Sequence, residues 1–245
     1  MEKLIAVTPT GARLEAFALC QTMMERQTQL PDSWIVVDDG AEIIDAWRFL
    51  HNGGKFRGIY HRPDQRWEPG KNTHVSNLRQ AIAILKTQPC EWIAFIEDDD
   101  WYHPEYFERA LEFLDANPDV LCLGEANAKY YNLRTHQFRL MGGTDHASLC
   151  QTIVHHTYLP LLEAFLEQGS SFFDIPFWCE AKKLGHAFLF PESTHCVGIK
   201  GLPGRGGIGC GHKPAKDWDI DSDNLVLRSW IGDDVELYKP FLEMV

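Results

Sequence analysis

A chain of 245 residues, 44% hydrophobic and 12% aromatic, is long enough to enclose a sizeable core and reads as a single α/β unit over 1–245. Its formal charge of −12 argues against a protein that coats nucleic acid non-specifically, and no apolar run approaches the length that spans a bilayer. Seven cysteines, scattered and never spaced C-x-x-C, argue against a zinc site or a disulfide framework and for reduced thiols in a cytoplasmic setting.

In chain order, Leu4-Ile5-Ala6-Val7 predicts a short buried strand, not a leader peptide, ending at Thr8-Pro9-Thr10-Gly11. From Arg13 to Gln29 the residues Leu14, Phe17, Ala18, Cys20 and Met24 mark one face of a helix. Trp34-Ile35-Val36-Val37 is a second apolar strand stopped by Asp38-Asp39-Gly40, and a helix from Ala41 to His51 follows. Gly58-Ile59-Tyr60 predicts a third strand, and Leu78, Ile82 and Leu85 predict a helix within 70–86. Trp92 to Ile96 is a fourth strand and Tyr106 to Asn117 an amphipathic helix. This alternation predicts a mainly parallel, twisted sheet flanked by helices, with ligands bound beyond the carboxyl ends of its strands. Thr8, Asp38-Asp39 and the run Glu97-Asp98-Asp99-Asp100 all fall at such ends.

The second half is less regular. Val120 to Leu123 and Gln151 to Val154 read as strands, with a polar loop around Met141-Gly142-Gly143-Thr144 between them. Tyr158 to Gln168 and Pro176 to Leu184 read as helices, the second stopped by Gly185, and Ala187 to Phe190 as a strand. Six glycines in the twelve residues from Gly201 to His212 predict a mobile loop. Asp217 to Asp223 reads as a solvated acidic linker, because it lacks the glycine and terminal glutamate of a calcium loop, and Trp230 to Phe241 as a closing helix.

The acidic run carries the most information. Four carboxylates directly behind a buried strand raise one another's pKa unless a cation lies between them. Hard divalent cations such as Mg²⁺ or Mn²⁺ take oxygen ligands, often one or two carboxylates together with substrate phosphates. A helix start with Asp100 as N-cap and Pro104 in the first turn accounts for one or two of these acids, not four. Bases gather elsewhere: six Lys/Arg against two acids between Lys55 and Arg79, three bases and no acid between Asn127 and Gly143, four and none between Ser193 and Lys216. An acidic body with basic loops suits a phosphate-bearing ligand at one face.

The ordered set Ala6-Val7-Thr8-Pro9-Thr10 with Arg13, Trp34 to Gly40, and Phe95 to Trp101 with Pro104-Glu105 resembles the family 2 glycosyltransferases of the GT-A fold, which carry a DxD metal motif. The match covers most of 4–115 and continues into 145–190. The resemblance implies that Thr8, Thr10 and Arg13 approach a nucleotide and that Asp38, with Asp39 beside it, accepts from its base, usually uracil. A plain turn with an N-cap is an equal reading of Asp38-Asp39-Gly40. Gly70 to Asn77 resembles the segment before the family's third helix, making Asn77 and Lys71 donor-side candidates; Lys71 also reads as a solvated loop charge. Asp99 matches the family's final metal-binding carboxylate, Glu97 stands where its first Asp usually stands, and Asp98 or Asp100 can trade places with Glu97 through a one-residue bulge.

On the acceptor side, Phe173 to Gly185 resembles the helix start at which inverting enzymes of the family place their general base. Asp174 matches that base and also reads as the N-cap of its helix. Some members complete the metal shell with a histidine from the C-terminal part, for which His212 and His195 are the candidates; Arg205, with Lys200 nearby, suits a pyrophosphate. The implied organisation is a nucleotide-sugar half over 1–118, an acceptor half over 119–216 with the loop 201–212, and an extension over 217–245. The implied activity is metal-dependent (Mn²⁺ or Mg²⁺), inverting transfer from a nucleotide-diphospho-sugar, UDP-linked by expectation, to a hydroxyl of a bacterial or phage glycan or of 5-hydroxymethylpyrimidine in DNA. The competing readings are a nucleotidyltransferase, disfavoured by the glycine-poor loop Thr8 to Arg13, and a non-catalytic nucleotide-sugar-binding module.

Overall fold

The first three parallel pairings set the frame. In the computed structural model, which describes residues 1–170, 172–207 and 209–243 and gives Trp47 and Cys210 by backbone alone, β1 (Glu2–Thr10) leads through α1 (Leu14–Glu25) to β2 (Ser33–Asp38). Of the segments expected above, Ile208 in the glycine-rich loop and Met244-Val245 in the C-terminal extension lie outside the described residues. A short α2 (Ala46–Leu50) leads to β3 (Arg57–His61), and α3 (His74–Leu85) to β4 (Cys90–Phe95). Then follow β5 (Asp100–Tyr102), α4 (Tyr106–Ala116), β6 (Cys122–Glu125) and the hairpin β7 (Lys129–Asn132) and β8 (Gln137–Leu140). The chain continues through β9 (Thr152–His155), α5 (Leu159–Glu167), α6 (Asp174–Lys183), β10 (Ala187–Phe190) and β11 (Cys196–Lys200). It closes with β12 (Asp219–Ile220), α7 (Leu225–Ile231) and α8 (Val235–Leu242).

The main sheet has the order β10-β6-β9-β4-β1-β2-β3, with β1, β2, β3 and β4 mutually parallel and β9 antiparallel to both its neighbours. Its central strands are buried on both faces, which is why they read as unbroken apolar runs. Along β1, Leu4 and Ala6 join a core with Phe17, Met24 and Trp34, while Ile5 and Val7 join the core built on α3 through Leu78, Ala81 and Ile82. Trp34 anchors the first core, with the rings of Phe17, Phe49 and Phe56 at 5.7, 5.2 and 5.3 Å.

A second sheet, β12-β8-β7-β11-β5, stands across the carboxyl ends of the first. Its antiparallel register, Gly198 opposite Asp100 and Cys196 opposite Tyr102, puts the end of β11 beside the acidic run. The sequence reading lacks this sheet because its strands are only two to five residues long, too short to show a period.

Three expectations change. The helix expected from Ala41 shrinks to Ala46–Leu50, because the Asp38 carboxylate accepts the N–H groups of Gly40 and Ile44 and winds that stretch into a turn. The closing helix divides into α7 and α8 at Gly232, whose φ of 62° no ordinary side chain favours. The acidic linker is not wholly solvated: Asp219-Ile220 pairs with β8, and buried Asp221 accepts the N–H groups of Val226 and Leu227 at 3.0 Å each.

Trp178, buried on α6, donates to the Thr152 hydroxyl at 3.1 Å and packs over Gly124, where an added Cβ would lie 2.5 Å from its ring. Gly124→Ala is therefore expected to cost about 1–3 kcal/mol through overpacking, read as a lower urea midpoint with an unchanged m-value.

Candidate active site

The acidic run leaves the sheet at the end of β4 and turns at once into β5. The Ile96 N–H donates to the Val7 carbonyl at 2.8 Å and the Glu97 N–H to the Tyr102 hydroxyl at 2.9 Å, which fixes the turn. Asp98 accepts from the Thr10 hydroxyl (2.6 Å) and from Arg13 (2.8 Å). Asp99 accepts from Arg13 (2.8 Å) and Lys200 (2.6 Å), and His212 Nε2 lies 3.2 Å away. Asp100 accepts from Lys200 at 2.6 Å, and the same Nζ is 3.5 Å from Glu97, the one member with a substantially exposed side chain (32%).

The four carboxylates thus have two cations of the protein's own, a solution the sequence reading did not weigh. Burial on its own raises the carboxyls of Asp98, Asp99 and Asp100. At Asp99, Lys200 and Arg13 outweigh burial and hold the group well below the usual carboxylate range. At Asp100 burial prevails and pushes the pKa up to about 7, and Asp98 is raised by burial in spite of Arg13. Burial opposes the charge on Lys200, yet Asp100, Asp99 and Glu97 hold its pKa well above the ordinary lysine value.

One oxygen each of Glu97, Asp99 and Asp100 lies within 4.8 Å of the others, and Asp100 Oδ2 is buried with no hydrogen-bond partner. That hard donor set fits Mn²⁺ or Mg²⁺ in its chemistry. The same three carboxylates surround the Lys200 ammonium, so an ion and the ammonium draw on the same oxygens. A grouping of Asp100 with Cys150 and Cys196 is wholly buried, and burial pushes the Cys196 thiol up to about 11, away from the thiolate a softer metal needs.

A cleft of about 360 Å³ opens in front of the cluster. Of the residues singled out from sequence, Arg13, Lys71, Glu97, Asp98, Asp174, Arg205 and His212 line it. Others stand behind it as supports. Thr10 holds Asp98, and Asn77 donates to the Thr10 carbonyl at 3.4 Å. Asp39 accepts from Arg205 at 3.0 Å and from the Thr73 hydroxyl. Lys71 is exposed and pairs with Glu68 at 2.8 Å. Asp38 is fully buried, with its carboxylate taken by the Gly40 N–H (2.9 Å) and the Tyr60 hydroxyl (2.6 Å), so here it forms the turn.

Two residues lie away from the cleft lining. Thr8 is buried, and its hydroxyl accepts the Trp34 indole N–H at 2.9 Å. His195 precedes β11, next to Cys196, which pairs with Tyr102, so it lies at the end of the strand away from Lys200. Its Nδ1 lies 2.6 Å from Glu125 at the rim of a different cavity, so His212 is the histidine that accompanies Asp99.

The glycine-rich loop is docked across the mouth of the cleft. The Arg205 N–H donates to the Ala12 carbonyl (2.9 Å), and Arg13 Nε donates to the Arg205 carbonyl (2.7 Å). The Arg205 guanidinium lies 5.5 Å over the Trp67 ring. Gly204, at φ 95°, permits this approach, because a Cβ there would lie 2.2 Å from the Ala12 carbonyl oxygen.

Asp174 is the first residue of α6, not its N-cap, and accepts the Ile175 N–H at 3.0 Å. Burial raises its pKa; the Ile175 N–H and His146 pull the other way, and Glu97 adds to the rise. Beside it Phe172, Ile175 and Met141 line the cleft with exposed apolar side chains. Residues the sequence reading missed are Tyr130, His74, His146 and the central position of Lys200; for Lys200 the cue was a strand, Cys-Val-Gly-Ile, ending on a cation.

The glycosyl transferase family 2 model matches residues 15–177. Among curated proteins no sequence matches the chain. Among solved structures, TarS 1-349 of S. aureus in complex with UDP is similar at TM-score 0.58 and 15% identity, over 80% of this chain and 60% of that one. The same protein in complex with UDP-GlcNAc gives 0.53 and 14%, over 98% and 65%. The mannosyltransferase PcManGT from Pyrobaculum calidifontis, in complex with GDP-Man and Mn²⁺, gives 0.55 and 14%, over 84% and 58%. The chain therefore spans about 60% of the TarS 1-349 fragment, and at these identities the likeness is one of fold.

Arg13, with a side chain 11% exposed, bridges Asp98 and Asp99. Arg13→Met leaves both carboxylates without that partner and is expected to cost about 3–5 kcal/mol of folding stability, measured by urea unfolding at pH 7.

Proposed function

The chain belongs to glycosyl transferase family 2, and from that premise we propose that it moves a sugar, with inversion, from a nucleotide-diphospho-sugar to an acceptor hydroxyl. The observation that carries this reading is the single cleft lined by Asp174 on one side and by Arg13, Lys200, Arg205 and His212 around the carboxylates on the other. The acceptor oxygen attacks the anomeric carbon, Asp174 takes its proton, and the bond from that carbon to the diphosphate breaks. The basic residues meet the charge that develops on the departing diphosphate. The raised pKa of Asp174 suits a proton acceptor.

Glu97, Asp99 and Asp100, with His212 beside Asp99, are the residues that would hold Mn²⁺ or Mg²⁺. Bound there, the ion would act as a Lewis acid on the diphosphate. Thr10, Asp39 and Asn77 serve by placing Asp98 and Arg205, and Lys71 lies at the donor-side rim. Since TarS is described with UDP and UDP-GlcNAc, and PcManGT with GDP-Man, UDP-sugars are the first donors to test and GDP-mannose the next.

For the acceptor a glycan is the better reading. Phe172, 60% exposed, with Ile175 and Met141 offers an apolar lip beside Asp174 on which a sugar face can rest. Hydroxymethylated DNA needs free cations, and those of the 127–143 hairpin are engaged: Arg139 pairs with Asp217 at 2.9 Å, Arg134 donates to the Gly201 carbonyl, and Lys129 lies 5.8 Å over the Trp230 ring. Among the described residues no helix is long and apolar enough to cross a membrane.

Titration calorimetry with nucleotide sugars, with and without Mn²⁺, followed by mass spectrometry of glycans and hydroxymethylated duplex incubated with enzyme and donor, tests the whole reading. Absence of donor binding and of released nucleoside diphosphate under all conditions would sink it. Asp174→Asn is expected to lower kcat by about 10²–10⁴-fold while UDP binding persists. The base works only when deprotonated, so kcat/KM should fall as pH drops through the Asp174 pKa, which burial raises from the ordinary aspartate value, and Asp174→Asn should abolish that limb.

A further inference from the structure

Lys200 stands between two surroundings of different kinds. On one side are Glu97, Asp99 and Asp100, at 3.5, 2.6 and 2.6 Å from its Nζ. On the other is the ring of Tyr130, 5.8 Å away and part of the cleft wall. Its backbone is fixed as the last residue of β11, and its carbonyl accepts the Leu133 N–H at 2.9 Å. Its stem passes Gly211, where an added Cβ would lie 2.9 Å from Lys200 Cγ and 3.0 Å from the Tyr130 ring. The backbone is thus held, and the ammonium sits on a flexible four-carbon stem beside an aromatic face that can receive it.

The three carboxylates that hold the ammonium are also the three that fit a divalent ion. Both cations cannot use the same oxygens at hydrogen-bond and ligand distance without strong mutual repulsion. An incoming diphosphate changes the balance, because its oxygens offer the ammonium a new partner in the cleft and offer the ion further ligands.

We propose that Lys200 is the built-in counter-cation of the carboxylate cluster in the donor-free protein, that it and a divalent ion exclude one another there, and that the ion therefore loads together with a nucleoside diphosphate that draws the ammonium away. This rests on the glycosyl-transfer reading of the cleft and deepens it by assigning an order of loading. Lys200 thereby makes metal affinity conditional on nucleotide, a coupling of two ligands through one side chain.

The test is Mn²⁺ binding, read from the electron paramagnetic resonance signal of the free ion. It is made on the whole chain as wild type, Lys200→Met and Lys200→Arg, with and without UDP. Without UDP, Lys200→Met should bind Mn²⁺ about tenfold or more tighter than wild type, and Lys200→Arg no tighter than wild type. Saturating UDP should raise the wild-type affinity and bring it to within about threefold of Lys200→Met. Equal Mn²⁺ affinity of wild type and Lys200→Met without UDP overturns the proposal. So does a failure of Lys200→Met to bind Mn²⁺, or UDP binding that leaves the wild-type Mn²⁺ affinity unchanged. Should Lys200→Met unfold without the ion, Lys200→Gln replaces it in a melting experiment, where Mn²⁺ must raise its midpoint by more than that of wild type. Failure of the underlying reading looks different: UDP would then bind none of the proteins, with or without Mn²⁺, whereas the contrast in Mn²⁺ affinity without UDP would stand.

Discussion

The Lys200 side chain is 3% exposed and touches three carboxylates, two of them at 2.6 Å. A charge taken that far from water is tolerated only with close, well-directed partners, and the same holds for the buried acids opposite it. Much of the second sheet can be understood from this requirement. The pairing of Gly198 with Asp100 sets the reach of Lys200, and a slip of one residue would turn its side chain to the other face of the sheet. Gly198 itself faces the Tyr130 ring, which a Cβ would meet at 2.4 Å, so β7 and β11 can close up behind the ammonium. On the other flank the Trp101 indole donates to Asp234 at 2.7 Å, which ties β5 to the C-terminal helices.

Arg13 and Arg205 extend the same logic outward. Arg13 neutralises Asp98 and Asp99 with one nitrogen and holds the Arg205 carbonyl with another. Arg205 in turn settles on Asp39 and Thr73. The cleft therefore carries the cations Arg13, Lys200 and Arg205 on the same wall as Glu97 and Asp98, with Asp99 and Asp100 buried behind them. An overall acidic protein can in this way offer a local field suited to phosphates, which composition alone conceals.

Much of this was legible in the sequence. The parallel half announced itself through long apolar strands and periodic helices, and the turn residues after β1, β2 and β4 named the edge where the cleft lies. The second sheet was not legible, because β5, β7, β8, β11 and β12 owe their existence to one another and have no internal period long enough to show. The balance of the acidic run was missed for a related reason. Four adjacent carboxylates signal the need for positive charge, but whether it comes from an ion or from residues far along the chain depends on register. Thr8 and His195 show the same limit: a polar residue at a strand end is placed by its partner, here Trp34 and Glu125, which spacing does not disclose.

The distances in sequence across the cluster have a bearing on biosynthesis. Asp98 meets Arg13 across 85 positions, and Asp99 meets Lys200 across 101, while the strap from Arg13 to Arg205 crosses 192. As the chain emerges, the acids appear long before their second cation. Until β11 is made, the turn at 97–100 must stay hydrated or partly protonated, since burying it early would leave Asp100 without a counterion. The edge at 97–100 therefore acquires its ion pairs to Lys200 only once β11 has paired with β5.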